Sequence, residues 1–202
     1  MNVVLTDVAI VIALAVLVGF YVSWRASRLD RLHARAETTH AALDAALARR
    51  TGVVLELAGS GLLDPATSLL IAGAAHDARA VGQLESVDAS GGEAQPRELA
   101  ESDLSRALRA ALAQPGFRAA LPGTEGADEL LAAIEAAAHQ VFLARNFYND
   151  AVAATLAARR RRLVRLLRLA GGAPAPVFFE IDDAPPLIGD GSDGADMPRL
   201  TG

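Results

Sequence analysis

The sequence predicts an all-α protein: an N-terminal transmembrane helix continuing into an antiparallel four-helix bundle, then a disordered acidic tail. Three observations lead there. The 202-residue chain is 52% hydrophobic but only 4% aromatic, and a chain rich in Ala and Leu but poor in aromatics favours helices over sandwiches or barrels. Residues 8–24, VAIVIALAVLVGFYVSW, carry no charge. Beyond them, apolar residues recur at spacings of three, four and seven, the period of a helical stripe. The division that follows is 3–24 for the membrane helix, 25–170 for the bundle and 171–202 for the tail.

Residues 3–24 make about 33 Å of helix at 1.5 Å per residue, enough to cross a bilayer. Asp7 then sits near one interface. Phe20, Tyr21 and Trp24 cluster at the other, where amphipathic rings gather. A cleaved signal and a buried core helix are the rival readings. A signal wants a basic start and a small-residue cleavage site, yet nothing before Trp24 is basic. Arg25, Arg28, Arg31 and Arg35 follow at once, and arginines confined to the C-terminal flank imply a single pass with N-terminus out and body in the cytoplasm. The expected address is a bacterial inner membrane.

The first body helix is a direct continuation. Leu29, Leu32, Ala36, Leu43, Leu47, Val54 and Leu57 form its stripe, and Gly59 and Gly61 end it. Asp64 before Pro65 reads as an N-cap with proline at the first helical position, opening a helix over 65–85. Residues 88–96, DASGGEAQP, have loop composition. A third helix fits 97–113, stopped at Gln114-Pro115-Gly116, with a further break over 121–126. The fourth runs from about 126 to 170. Leu130, Ile134, Ala138, Val141, Tyr148, Val152, Leu156, Leu163, Leu166 and Ala170 fall on one side, with Arg161, Arg165 and Arg168 nearly opposite. Gly171-Gly172 and APAP stop it. The rest reads as disordered, except the apolar 177–179, Val-Phe-Phe, which suits docking on the bundle.

Charge is segregated. Residues 151–179 hold six Arg and no acid, whereas the tail from Glu180 holds six acids and one Arg. In an antiparallel bundle the fourth helix returns to the bilayer, which sets its arginines beside Arg25–Arg35 and near anionic headgroups. A plain solvated face is the alternative. Nucleic acid is the remaining one, and no aromatic platform accompanies the 159–162 run. The same antiparallel register puts residues whose numbers sum to roughly 195 at one height. Arg145 lies on the apolar side between Val141 and Tyr148, so a carboxylate should face it. The expected polar layer pairs Asp44 with Arg145, or Asp150 with Arg49 or Arg50.

Chemistry has few footholds. There is no Cys and no Lys, which removes thiolate sites, disulfides, Schiff-base lysines and the lysine of a phosphate loop. No G-x-S-x-G, Walker or dinucleotide pattern occurs. Ser60 is a loop serine with no basic partner nearby in sequence. His33, Glu37 and His40 share one helical face, and Glu37-x-x-His40 has di-iron spacing. A di-iron site needs a second such motif, and Glu135-x-x-x-His139 has the wrong spacing. A polar flank is the simpler reading, and neither cofactor nor metal is expected.

The run 143–152, LARNFYNDAV, followed by 177–180, VFFE, resembles the LemA family, whose last bundle helix carries an ARRFYNDAV-like motif with a PFFE-like segment after it. Residues 36–50, AETTHAALDAALARR, are similar to that family's first body helix at Glu37, Leu43, Asp44, Leu47, Arg49 and Arg50. His40 stands where the family often has Trp, and 153–162 departs from its pattern. The resemblance marks Phe147, Tyr148, Asn149, Asp150, Phe178, Phe179 and Glu180 as motif residues. It implies an N-terminal membrane helix and an antiparallel four-helix body, and transfers no catalytic residue.

These readings point to a non-catalytic interaction or scaffold module, bound to the bilayer and to a protein partner. A metal-dependent bundle enzyme and a lipid-sensing or membrane-surface-binding protein are the alternatives.

Overall fold

The computed structural model describes residues 2–87, 95–121, 124, 126–161 and 175–184. Among them the chain is wholly helical apart from turns and one extended segment. Five helices follow in order: α1 (Asn2–Gly59), α2 (Pro65–Val87), α3 (Gln95–Leu112), α4 (Pro115–Ala120) and α5 (Ala127–Arg159).

The apolar N-terminal stretch and the first body helix of the sequence reading are one element. With 58 residues, α1 is about 87 Å long. Its N-terminal part is long and apolar enough to cross a membrane, with a mean hydropathy of 1.8 over its most apolar window. Side chains from Ile10 to Tyr21 are exposed. Farther along, the stripe turns inward as its spacing requires: Leu29, Ala36, Leu43, Leu47, Val54 and Leu57 are all buried.

Local chemistry accounts for the breaks. Gly61 takes a left-handed φ of 77° in the α1–α2 turn, a conformation that costs a side chain of ordinary size. Asp64 caps α2, its Oδ1 accepting from the amides of Ala66 at 3.0 Å and Thr67 at 3.1 Å. A hydrogen bond from the Thr67 side chain, together with these amide bonds, holds its carboxyl below the usual carboxylate range. Pro115 corrects the sequence reading. It does not merely stop α3; it opens α4 behind an extended Gln114, because a proline at the first helical position lacks only an amide that has no helical partner anyway. Gly126, with φ 79°, precedes α5. Acids in the first turn of α5, Asp128 and Glu129, and Arg159 in its last suit the helix dipole. The described α5 ends at Arg159; residues 162–174, with Arg162, Arg165, Arg168 and the remainder of the expected fourth helix, lie outside the described residues.

The chain divides into two compact units. The first comprises 1–44 with 144–179, the second 45–143 with 180–202. In the first, Leu29, Ala36 and Leu43 of α1 are buried, as are Tyr148, Ala151, Val152 and Thr155 of α5, with Phe179. The Thr155 hydroxyl is satisfied by the Ala151 carbonyl at 2.8 Å.

The second unit holds the larger core. Val54 and Leu57 of α1, Leu62 and Leu63 of the turn, Ile71 and Ala75 of α2, Leu104 and Leu108 of α3, Phe117 of α4, and Leu130 and Ile134 of α5 are buried together. Each large apolar side chain withdrawn this fully contributes about 1.5–3 kcal/mol. α2 packs directly on α3. Gln114 donates to the Thr67 hydroxyl at 2.9 Å, closing the short α3–α4 link onto the start of α2.

Candidate functional site

The motif on α5 holds an extended segment in place. In the first unit, the Tyr148 hydroxyl donates to the Val177 carbonyl at 2.8 Å. Asn149 makes two bonds to one residue: its Nδ2 donates to the Phe179 carbonyl at 3.0 Å, and its Oδ1 accepts the Phe179 amide at 2.9 Å. A side-chain amide used in this way satisfies both backbone groups of a chain that has no strand partner. The Phe179 ring is buried, while Val177 and Phe178 stay exposed. So Asn149 and the Tyr148 hydroxyl do the holding, and Tyr148 adds a packed ring. Phe147, the apolar residue that precedes Tyr148 in the motif, is 57% exposed. Asp150 is exposed as well.

His40 and Asp44 meet beside that motif. His40 Nδ1 lies 3.1 Å from Asp44 Oδ2 one turn on, and its ring stands edge-on to Tyr148 at 5.2 Å between centroids. Arg145 is half-buried, as is Asp44. His33 faces Arg159, with Nε2 3.4 Å from Nη1. His33 and His40 are thus drawn to different neighbours, and no group of three or more potential metal ligands gathers among the described residues.

The residues expected near a membrane separate into two concave surfaces of the first unit. Leu17, Val18, Phe20, Tyr21 and Trp24 line an apolar furrow on α1. Arg25, Arg28, Leu29 and Leu32 of α1 face Ala154, Ala157, Ala158 and Arg161 of the α5 end across a groove. The structure therefore brings Arg161 beside Arg25 and Arg28. Arg25 also reaches back to the Tyr21 hydroxyl at 2.9 Å, and its guanidinium lies 5.3 Å from the Tyr21 ring and 5.6 Å from the Trp24 ring. Both distances are within cation–π range.

In the second unit Arg50 is buried. It reaches Glu101 Oε2 at 2.5 Å, the Glu101 carbonyl at 3.2 Å and the Ser105 hydroxyl at 2.8 Å, all on α3. Register between the first and last helices alone gave no reason to expect this partner. The cause is the stripe itself: Arg50 follows Leu43 and Leu47 at spacings of seven and three, so its guanidinium is carried inward with them. Arg49, one residue earlier, is exposed.

The extended segment continues along α3 within this unit. The Glu180 amide donates to Glu98 Oε1 at 2.7 Å, and the Asp182 amide to the Ser102 hydroxyl at 3.1 Å. Arg109 grips the Asp182 carboxylate through both terminal nitrogens and also donates to the Ala184 carbonyl at 3.1 Å. That bidentate bond holds the Asp182 carboxyl below its ordinary range. The sequence reads this stretch, after 177–179, as disordered; it is instead hydrogen-bonded as far as Ala184. Residues 185–202 lie outside the described residues.

No protein-family model, characterised protein or solved structure matches the chain.

Proposed function

We propose that this chain is a membrane-anchored interaction module, a diverged LemA-like protein whose body is an antiparallel four-helix bundle on the cytoplasmic side of a bacterial inner membrane. It presents that body to a protein partner and carries out no reaction. One observation carries the reading. α1 is a single helix whose N-terminal part is apolar with exposed side chains, while its continuation is striped and packed. An apolar surface of that length left uncovered is unusual for a soluble monomer, and lipid is the medium that accommodates it. The flanking arginines support the orientation. The Asn149 clamp supports the motif resemblance by giving one of its polar residues a physical task. Crosslinking in intact membranes followed by affinity capture of the full chain tests the role: the same protein partner recurs in independent preparations, and capture of only abundant lipid-phase neighbours refutes it.

A specific observation also favours the lipid-binding reading. Arg161 lines one groove with Arg25 and Arg28, directly after the apolar part of α1. Clustered arginines at that position attract anionic headgroups, each contributing about 1 kcal/mol near the surface.

A further inference from the structure

Arginine at the end of a helix needs no ligand to explain it, because the exposed carbonyls there favour a cation. Arg161 alone therefore says little. Arg25 and Arg28 are different: they sit in the interior of α1, where no helix end attracts them. No carboxylate among the described residues pairs with Arg25, Arg28 or Arg161. Asp30, the nearest acid in sequence, is about 200° round the helix from Arg28. Three cations thus line one groove, and among the described residues no carboxylate neutralises them. Its floor is apolar, made of Leu29, Leu32 and small alanines.

The groove has about 240 Å³ of free volume, below the range of roughly 300–1,000 Å³ that encloses a drug-sized ligand. It suits a phosphate-bearing headgroup better than a whole amphiphile. The apolar furrow along α1 offers about 380 Å³ more and is almost entirely carbon-lined. Leu17, Tyr21, Trp24, Arg28 and Leu32 follow at helical steps of three and four, and Arg25 lies four residues from Tyr21 and three from Arg28, so furrow and groove lie on one face of α1. From Leu17 to Arg28 is about 16 Å along the axis. Along this face the order is chain-binding surface, then interfacial rings, then cations, which matches the order of parts in a phospholipid.

We propose that this face binds one anionic phospholipid, its phosphate held by Arg25, Arg28 and Arg161 and an acyl chain lying in the Leu17–Trp24 furrow. The inference rests on the membrane reading above and adds to it a defined site in place of diffuse attraction. Trp24 is the only tryptophan in the chain, so its fluorescence reports from the site itself.

The test uses the full chain in phosphatidylcholine nanodiscs carrying a few mole per cent of a bromine-quencher lipid, either dibrominated phosphatidylglycerol or dibrominated phosphatidylcholine. Trp24 should be quenched at a several-fold lower fraction of the anionic lipid than of the zwitterionic one. Arg28→Gln with Arg161→Gln should erase that preference, bringing the two lipids to equal quenching. Arg31→Gln with Arg35→Gln removes the same charge at exposed positions farther along α1 that do not line the groove, and should leave the preference intact. Equal quenching by both lipids in the parent chain overturns the site while leaving the membrane reading standing. An equal loss of preference in the two double variants also overturns it, because diffuse charge then suffices. Quenching by neither lipid overturns the membrane reading and the site together. Far-UV circular dichroism confirms that the variants keep their helix content.

Discussion

Replacing Glu101 by alanine leaves the Arg50 guanidinium buried without its carboxylate. Arg50 is 4% exposed and Glu101 2%, so solvent cannot take over. Losing one partner of a buried pair costs about 3–5 kcal/mol. Here Arg50 keeps the Ser105 hydroxyl and the residue-101 carbonyl, which places the cost near the lower end, about 3 kcal/mol. In a chain of this length that lowers the melting temperature by about 6–12 °C. The double variant Arg50→Met with Glu101→Leu removes both charges and refills the space with apolar atoms. It should melt within a few degrees of the parent, since such exchanges are often neutral. The assay is thermal unfolding of the full chain in detergent, followed by far-UV circular dichroism, for the parent, Glu101→Ala, Glu101→Leu, Arg50→Met and the double variant. A double variant as unstable as the sum of the singles would refute the reasoning, because the cost would then lie in packing rather than in an orphaned charge.

The clamp on the extended segment is testable by amide exchange. Asn149→Ala removes both bonds to Phe179 and should raise the exchange rate of the Phe179 amide roughly 5–30-fold, from about 1–2 kcal/mol for two neutral hydrogen bonds; an unchanged rate would show that ring burial alone holds the segment. The Asp182 contact should depend on pH. Its folded pKa is depressed by Arg109, so its contribution is complete above the unfolded aspartate value of about 3.9 and is lost as pH falls through the lower folded value. Protection of residues 180–184, corrected for intrinsic exchange, should accordingly decline only below about pH 4, and Asp182→Asn should weaken it at neutral pH and flatten that decline. For topology, a reporter fused after residue 180 should read as cytoplasmic; a periplasmic signal would reverse the orientation.

Much of the helical plan is legible in periodicity. Leu29, Leu43, Leu47, Val54 and Leu57 repeat at helical spacing and are buried, and Asp64-Pro65 announces a cap that the structure contains. What periodicity misses is what depends on a partner distant in sequence. Arg50 belongs to the stripe by position, but its charge hides that membership until Glu101 is brought against it. Phe147 has the right chemistry for a core and the wrong angle. Pro115 carries one signal with two meanings, stopping α3 and starting α4. The segment 175–184 has neither helical nor strand period, because its order comes from Asn149, Ser102 and Arg109 rather than from its own backbone pairing. Of the candidate site, the arginines were readable as a cluster; that Arg161 closes a groove with Arg25 and Arg28 required the two helices in space.

The most direct test of the membrane-anchored reading exploits the absence of cysteine. A single cysteine replaces Val16, in the apolar part of α1, and in a second variant Ala41, on an exposed position of its packed continuation. Intact cells and opened inner-membrane preparations are then treated with a membrane-impermeant maleimide. Position 16 should stay unlabelled in both until detergent is added, and position 41 should label only once the inner membrane is opened. Ready labelling of position 16 in opened membranes, at the rate seen for position 41, would contradict a membrane-embedded α1.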